Sequence, residues 1–247
     1  VTEQTQTLVE HLIELRRRLV WIVVVMSVAF FAAMPFAQQL YTFVAQPLMA
    51  NLPKGTSMIA TEVIAPFFVP VKVALMAAFL ATLPHTLYQV WAFVAPALYK
   101  HEKKLIFPLV LSSLILFACG MAFAYFLVFP VIFKFLAGVT PEGVNMATDI
   151  DKYLSFVLGM FVAFGATFET PVVVVLLHRM GVVSMEKMKA ARPYVIVGAF
   201  VVAAVITPPD VISQFMLAVP LIVLYELGLV LARMFKPVER VAEEYEN

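Results

Sequence analysis

Six stretches of this sequence carry almost no charge, and that pattern limits the fold more than any other feature of the chain. By number they are approximately 19–37, 69–95, 105–131, 153–177, 193–208 and 212–232. A hydrocarbon core of about 30 Å needs about 20 helical residues. In lipid the backbone amides must be satisfied within the segment, so runs of this length are expected to be helices. The expected fold is an all-α integral membrane protein with six transmembrane helices, in a single polytopic domain covering 1–247. Composition agrees: 63% of the chain is hydrophobic and 13% charged, whereas soluble domains lie nearer one half and one quarter.

The helices are not expected to be straight. Pro84, Pro108, Pro130, Pro171, Pro193 and Pro220 fall in or beside the apolar runs, and proline bends a helix by removing a backbone donor. Bent, tilted helices of unequal length favour a concave helical sheet. The last two runs are short and share the turn "TPPDVIS". They predict a hairpin that barely crosses, with the bilayer thinned around it.

Orientation follows from the basic residues. Arg16, Arg17 and Arg18; Lys100, Lys103 and Lys104; Arg179, Lys187, Lys189 and Arg192; and Arg233, Lys236 and Arg240 occupy alternate connections. Only Lys54, Lys72, Lys134 and Lys152 remain of the 17 basic side chains. Positive charge concentrates on the cytoplasmic side, so both termini are expected there. The first run ends at Pro35-Phe36-Ala37-Gln38-Gln39 rather than at a small-x-small cleavage site, so it is expected to stay as a span. Two outer caps are expected, 38–68 and 132–152. The first holds a short amphipathic helix and a turn at Pro53-Lys54-Gly55, the second the acidic pair Asp149 and Asp151. The acidic tail 237–247 is expected to be mobile.

Few polar residues interrupt the runs, and each has two readings. Glu169, in "AFGATFETPVVVVLL", lies deep in the fourth run. A charged group there costs about 3 kcal/mol on insertion scales, so it should face protein or water, or stay protonated. It serves either as a proton relay or partner contact, or as a neutral carboxyl bonded to Thr167 or Thr170. Gln214 is either interfacial or a donor to a neighbouring helix. Asp210 reads as a turn former beside Pro208 and Pro209, and Glu226, not far above Arg233, is expected to snorkel inward.

The inner ends of the first two runs carry the remaining acids. In "EHLIELRRR", Leu8, Leu12, Leu15 and Leu19 form one helical stripe, and Glu14 can pair with Arg18 four residues on. In "APALYKHEKKLIF", Glu102 lies among Lys100, Lys103 and Lys104. Each acid can be a local ion pair. Both also face one compartment at one depth, where two carboxylates form a patch for guanidinium groups, because a carboxylate accepts the planar arginine fork bidentately.

Enzyme chemistry has little to stand on. The single Cys119 excludes an intrachain disulfide, a CxxC pair and a cysteine-rich metal site. The four histidines show no metal-ligand spacing, there is no P-loop, and Ser184-Met-Glu-Lys187 matches S-x-x-K without that class's other motifs. Neither catalytic residues, a metal nor a cofactor is expected, and near-zero net charge gives no global attraction for nucleic acid.

The segments "HLIELRRR", "YQVWAFVAPALYKHEKK", "FAYFLVFP", "FETPVVVVLL" and "RPYVIVGAFVVAAVITPPD" occur in an order that resembles the TatC family, the core membrane subunit of the twin-arginine protein translocase. The resemblance runs from about His11 to Arg233. It implies a bacterial inner-membrane receptor that binds twin-arginine signal peptides at its cytoplasmic face. It also implies export of folded proteins on the proton-motive force, without ATP. On this likeness Glu14 and Glu102 match the carboxylates for the arginine pair, with Arg16, Lys100 and Phe93 on the same surface. Pro47, Phe67, Tyr125 and Asp210 match outer-loop and outer-end positions. Glu169 and Gln214 match intramembrane polar positions associated with partners. The partners implied are TatA- and TatB-type single-span subunits, with further copies of the chain in a homo-oligomer. The competing reading is a proton-coupled small-solute transporter with Glu169 as relay, which an inverted repeat with paired broken helices would favour; none is detectable between the two halves.

Overall fold

A computed structural model describes residues 2–49, 58–98, 106–139, 148–207 and 210–234. Helix α1 (Thr2–Ala33) passes through a 3-10 turn at Met34–Phe36, where Pro35 tightens the backbone, into α2 (Ala37–Met49). Helix α3 (Ala65–Leu98) follows. Helix α4 (Ile106–Phe123), a π turn (Ala124–Val128) and α5 (Phe129–Val139) form one continuous run. Then come α6 (Ile150–Phe168), α7 (Thr170–Arg179), the short α8 (Met185–Ala190), α9 (Arg192–Ile206) and α10 (Val211–Ala232).

Among the described residues, five helical runs are long and apolar enough to cross a membrane: Val9–Gln46, Ala65–Phe93, Phe107–Val139, Ile150–Arg179 and Val211–Ala232. The chain is thus an all-α, multi-pass membrane protein. Helix α9 has 15 residues, about 22 Å by helical rise. Many large side chains point outward as lipid contact demands: Phe31, Phe107, Phe126 and Val205 are all more than 70% exposed. Small residues such as Ala74, Ala78, Ala124, Ala203 and Ala218 are buried beside larger ones such as Phe129 and Phe164, and they let helix backbones approach.

Proline explains two of the irregularities. Pro130 has no N–H for the Phe126 carbonyl, and its ring would crowd that oxygen in a regular helix. The π turn ending at Val128 widens the helix just before it. Pro171 likewise leaves the Thr167 carbonyl without its helical donor, and the Thr170 hydroxyl donates to that oxygen at 2.6 Å. The helix breaks there, at Glu169 between α6 and α7.

The chain forms two compact units. The first comprises residues Val1–Ile115 and Phe133–Leu158. In it α3 packs against both α1 and α2, and buried Trp91 donates from Nε1 to Ser113 Oγ at 3.1 Å. The helix containing α5 runs on through Val139, into the stretch expected as an outer cap, because buried Phe133 packs on Tyr153 and Phe156. The segments before α3 and α6, expected as outer caps, are tied together by a parallel bridge between Ile59 and Asp149. Asp149 accepts at Oδ1 from the amides of Asp151 and Lys152, both at 2.9 Å, capping α6. Its other oxygen accepts from the amide and hydroxyl of Thr61. These bonds, led by the Thr61 hydroxyl, hold its carboxyl down at about 2. Lys72 donates to both oxygens of Asp151 at 2.7 and 2.9 Å, and Tyr153 donates to the Val44 carbonyl at 3.0 Å. The predicted helix in the first cap is α2. The expected turn at 53–55 and the tail 237–247 lie outside the described residues.

The second unit comprises Leu116–Ile132 and Gly159–Asn247. Helix α10 packs on α7 and α9, with Val174, Met188, Tyr225, Leu229 and Ala232 forming its core. Tyr225 reaches the Met188 carbonyl at 2.8 Å and so fixes α8. Gly181, at φ +64, takes the left-handed turn that ends α7. The Ser184–Lys187 spacing is a helix cap, with the Ser184 hydroxyl accepting from the Lys187 amide at 3.4 Å. Gly120 on α4 lies against the Phe164 carbonyl on α6.

Candidate functional site

The N-terminal half of α1 meets the C-terminal half of α3 along a polar seam. Residues four apart share a helix face, and α3 presents His85, Gln89 and Phe93 at that spacing. Opposite them α1 presents His11, Glu14 and Arg18. The rings of His11 and Phe93 stack with centroids 4.2 Å apart and an interplanar angle of 23°. Arg18 donates to Glu14 Oε1 from both Nε, at 3.0 Å, and Nη2, at 2.5 Å. Its remaining Nη1 donates to Gln89 Oε1 at 3.0 Å, and Gln89 Nε2 lies 3.5 Å from His85 Nε2.

The expected i, i+4 pair between Glu14 and Arg18 is therefore present, and it is part of a larger network. Glu14 is 30% and Arg18 17% exposed at the side chain, so the carboxylate is sheltered yet reachable. Arg16 points to the exposed side, and Leu12 and Leu19 of the leucine stripe are more than half exposed rather than buried in the chain's own core. Glu102 and Lys100 lie outside the described residues. The seam's partners Gln89 and His85 were not singled out from sequence. Their spacing from Phe93 was the available signal, although nothing in one sequence says which helix they face.

The other candidates are dispersed. Glu169 sits at the break between α6 and α7, 19 residues beyond Ile150 and about 28 Å along the axis. Both its carboxylate oxygens are shielded from solvent. Gln214 donates from Nε2 to the Phe200 carbonyl at 3.2 Å, joining α10 to α9. Asp210 caps α10, accepting the Ser213 amide at 2.7 Å. Tyr125 lies in the π turn, its ring 6.3 Å from that of Phe161. Phe67 is largely exposed near the start of α3, and Pro47 falls near the end of α2. Glu226 pairs with Arg192 at 2.7 Å, bridging α9 and α10, a contact 34 residues apart in sequence that sequence reasoning missed. Among the described residues no cluster of His, Cys, Asp or Glu could hold a metal ion.

Comparison with known proteins bears on what these residues serve. The family profile "Sec-independent protein translocase protein (TatC)" matches residues 10–220. Sec-independent protein translocase protein TatC of Escherichia coli (strain K12) is 52% identical over 242 residues, covering 98% of this chain and 94% of that protein. The protein of the same name from Haemophilus influenzae (strain ATCC 51907 / DSM 11121 / KW20 / Rd) is 48% identical over 235 residues, covering 95% and 92%. A crystal structure of the twin arginine translocase receptor TatC superposes with a TM-score of 0.82 at 39% identity, covering 91% of this chain and 98% of that one. With a match spanning most of its length and relatives about half identical throughout, this chain belongs to the TatC family.

Proposed function

We propose that this chain is the receptor and core subunit of a translocase that binds twin-arginine signal peptides and exports folded proteins on the proton-motive force. The observation that carries the reading is Glu14, a sheltered carboxylate at the end of an apolar helix whose described donors all fall on one oxygen. A guest arginine gains directed, charge-assisted hydrogen bonds there that a half-dry site strengthens. Glu102 supplies the second carboxylate, with Arg16, Lys100 and Phe93 shaping the same surface.

In this reading the chain crosses the bacterial inner membrane six times, with α9 as the short crossing and both termini cytoplasmic. Its bent helices form a concave sheet. Glu169 and Gln214 serve TatA- and TatB-type single-span subunits, and several copies of the chain assemble with them. Pro47, Phe67, Tyr125 and Asp210 organise the outer side. The subunit does no covalent chemistry; its work is binding and assembly. Family membership favours this reading over a solute transporter relaying protons through Glu169.

The test is cross-linking of a synthetic signal peptide, in twin-arginine and twin-lysine versions, to the purified chain and to a Glu14→Ala, Glu102→Ala double variant. Labelling of the arginine peptide alone, lost in the variant with helix content intact, supports the receptor. Equal labelling of both peptides, or undiminished labelling of the variant, refutes it.

A further inference from the structure

The way Arg18 engages Glu14 departs from a relaxed ion pair. A free guanidinium and carboxylate prefer two parallel bonds, one to each oxygen. Here Nε and Nη2 both fall on Oε1, while Nη1 is turned toward Gln89 on α3, 71 residues away in sequence. His85 stands behind Gln89 in the same row. Helix α3 thus holds the arginine off-centre. Among the described residues no donor reaches Glu14 Oε2.

We infer that Arg18, anchored by Gln89, is a specificity-determining residue: by occupying half of Glu14 it makes that carboxylate selective for an incoming guanidinium over an ammonium. The inference rests on the receptor reading above. With Arg18 attached, the charge of Glu14 is already compensated. A lysine ammonium is a compact, strongly hydrated point charge. It gains little net attraction at a compensated carboxylate and meets the like charge of Arg18. An arginine fork is weakly hydrated and directional, so it can place one N–H on Oε2 and keep its other donors for further acceptors. One turn back, the exposed His11 ring stacked on Phe93 offers the flat surface on which guanidinium groups pack. Arg18 is therefore a positioning residue that acts through Glu14, and its effect is on discrimination between peptides.

The experiment measures binding of two fluorescent signal peptides, identical but for twin arginine or twin lysine, to the full chain in lipid nanodiscs. Arg18→Gln is expected to reduce the preference for arginine about tenfold, chiefly through tighter binding of the lysine peptide, the scale of one charge-assisted hydrogen bond. Gln89→Ala, which frees Nη1 and loosens the arginine, shifts the preference in the same direction by less. An unchanged preference in Arg18→Gln overturns the inference. Parallel weakening of both peptides also overturns it, because that marks Arg18 as mere support for α1. If Arg18→Gln fails to fold, Gln89→Ala decides by the same criterion. Equal binding of both peptides by the unaltered chain, or undiminished binding by Glu14→Gln, instead removes the receptor reading on which the inference rests.

Discussion

Replacing Gly120 by alanine puts a methyl group where two helix backbones already touch. An added Cβ would lie 2.4 Å from the carbonyl oxygen of Phe164, 2.8 Å from its carbonyl carbon and 3.0 Å from Phe168 Cδ2. Close carbon–oxygen contacts settle at about 3.3 Å, so α4 and α6 must separate by about 1 Å. The obstacle is backbone, which no rotamer change can clear. Overpacking costs about 1–3 kcal/mol, and the rigid partner places this site at the upper end. Alanine returns about 1 kcal/mol in helix propensity, leaving a net loss of about 2 kcal/mol. For a chain of this size that lowers the thermal midpoint by about 4–8 °C. Melting of the purified protein in mild detergent, followed by circular dichroism, measures it. Gly198→Ala is the matched control, since nothing lies within 4 Å of its added Cβ, and it should melt at or slightly above the parent. A Gly120→Ala protein that melts with the control would refute the close-approach argument.

Three further outcomes are expected. Asp149 is held at about 2, below the ordinary value of about 4. Its contribution to stability is therefore complete above about pH 4 and fades as pH falls toward 2. Acid titration of Asp149→Ala should lack that part of the acid limb, and a limb matching the parent's would contradict the capping role. Tyr225→Phe deletes the bond to the Met188 carbonyl, costing about 1 kcal/mol. Hydrogen exchange should quicken in α8, and unaltered protection there would show the bond to be idle. At Glu169, glutamine should support export better than lysine, since the shielded break accepts a neutral group more readily than a new charge. Export assays in which lysine performs as well would exclude that setting.

What could be read in advance was whatever depends on neighbours in sequence. Five of the six apolar runs contain helices long enough to cross, and Glu14 with Arg18 forms the expected intrahelical pair; Asp210, which reads in sequence as a turn former, proves to cap α10. Long-range pairings stayed hidden. Lys72 and Asp151 are 79 residues apart, and each appeared only as a charge on an outer segment. By sequence Glu226 reads as an acid snorkelling inward above Arg233, but its oxygen meets Arg192, because the packing of α9 on α10 brings position 192 beside it. The third span was expected to stop at 131, where the apolar run weakens. The helix persists to Val139 because Phe133 finds Tyr153 and Phe156, partners a linear pattern cannot announce. Gln89 was invisible for the same reason.

If the chain crosses six times as proposed, helix α9 makes it a gauge of its surroundings. Laid across a bilayer of about 30 Å, its 15 residues fall short by about 8 Å. Each unmatched ångström costs a fraction of a kcal/mol in deformed acyl chains. That elastic stress resides in the lipids and relaxes whenever another short helix crowds alongside. On the six-span reading, companions of similar length should be drawn in before any side chain recognises them, and lengthening the acyl chains should strengthen the pull.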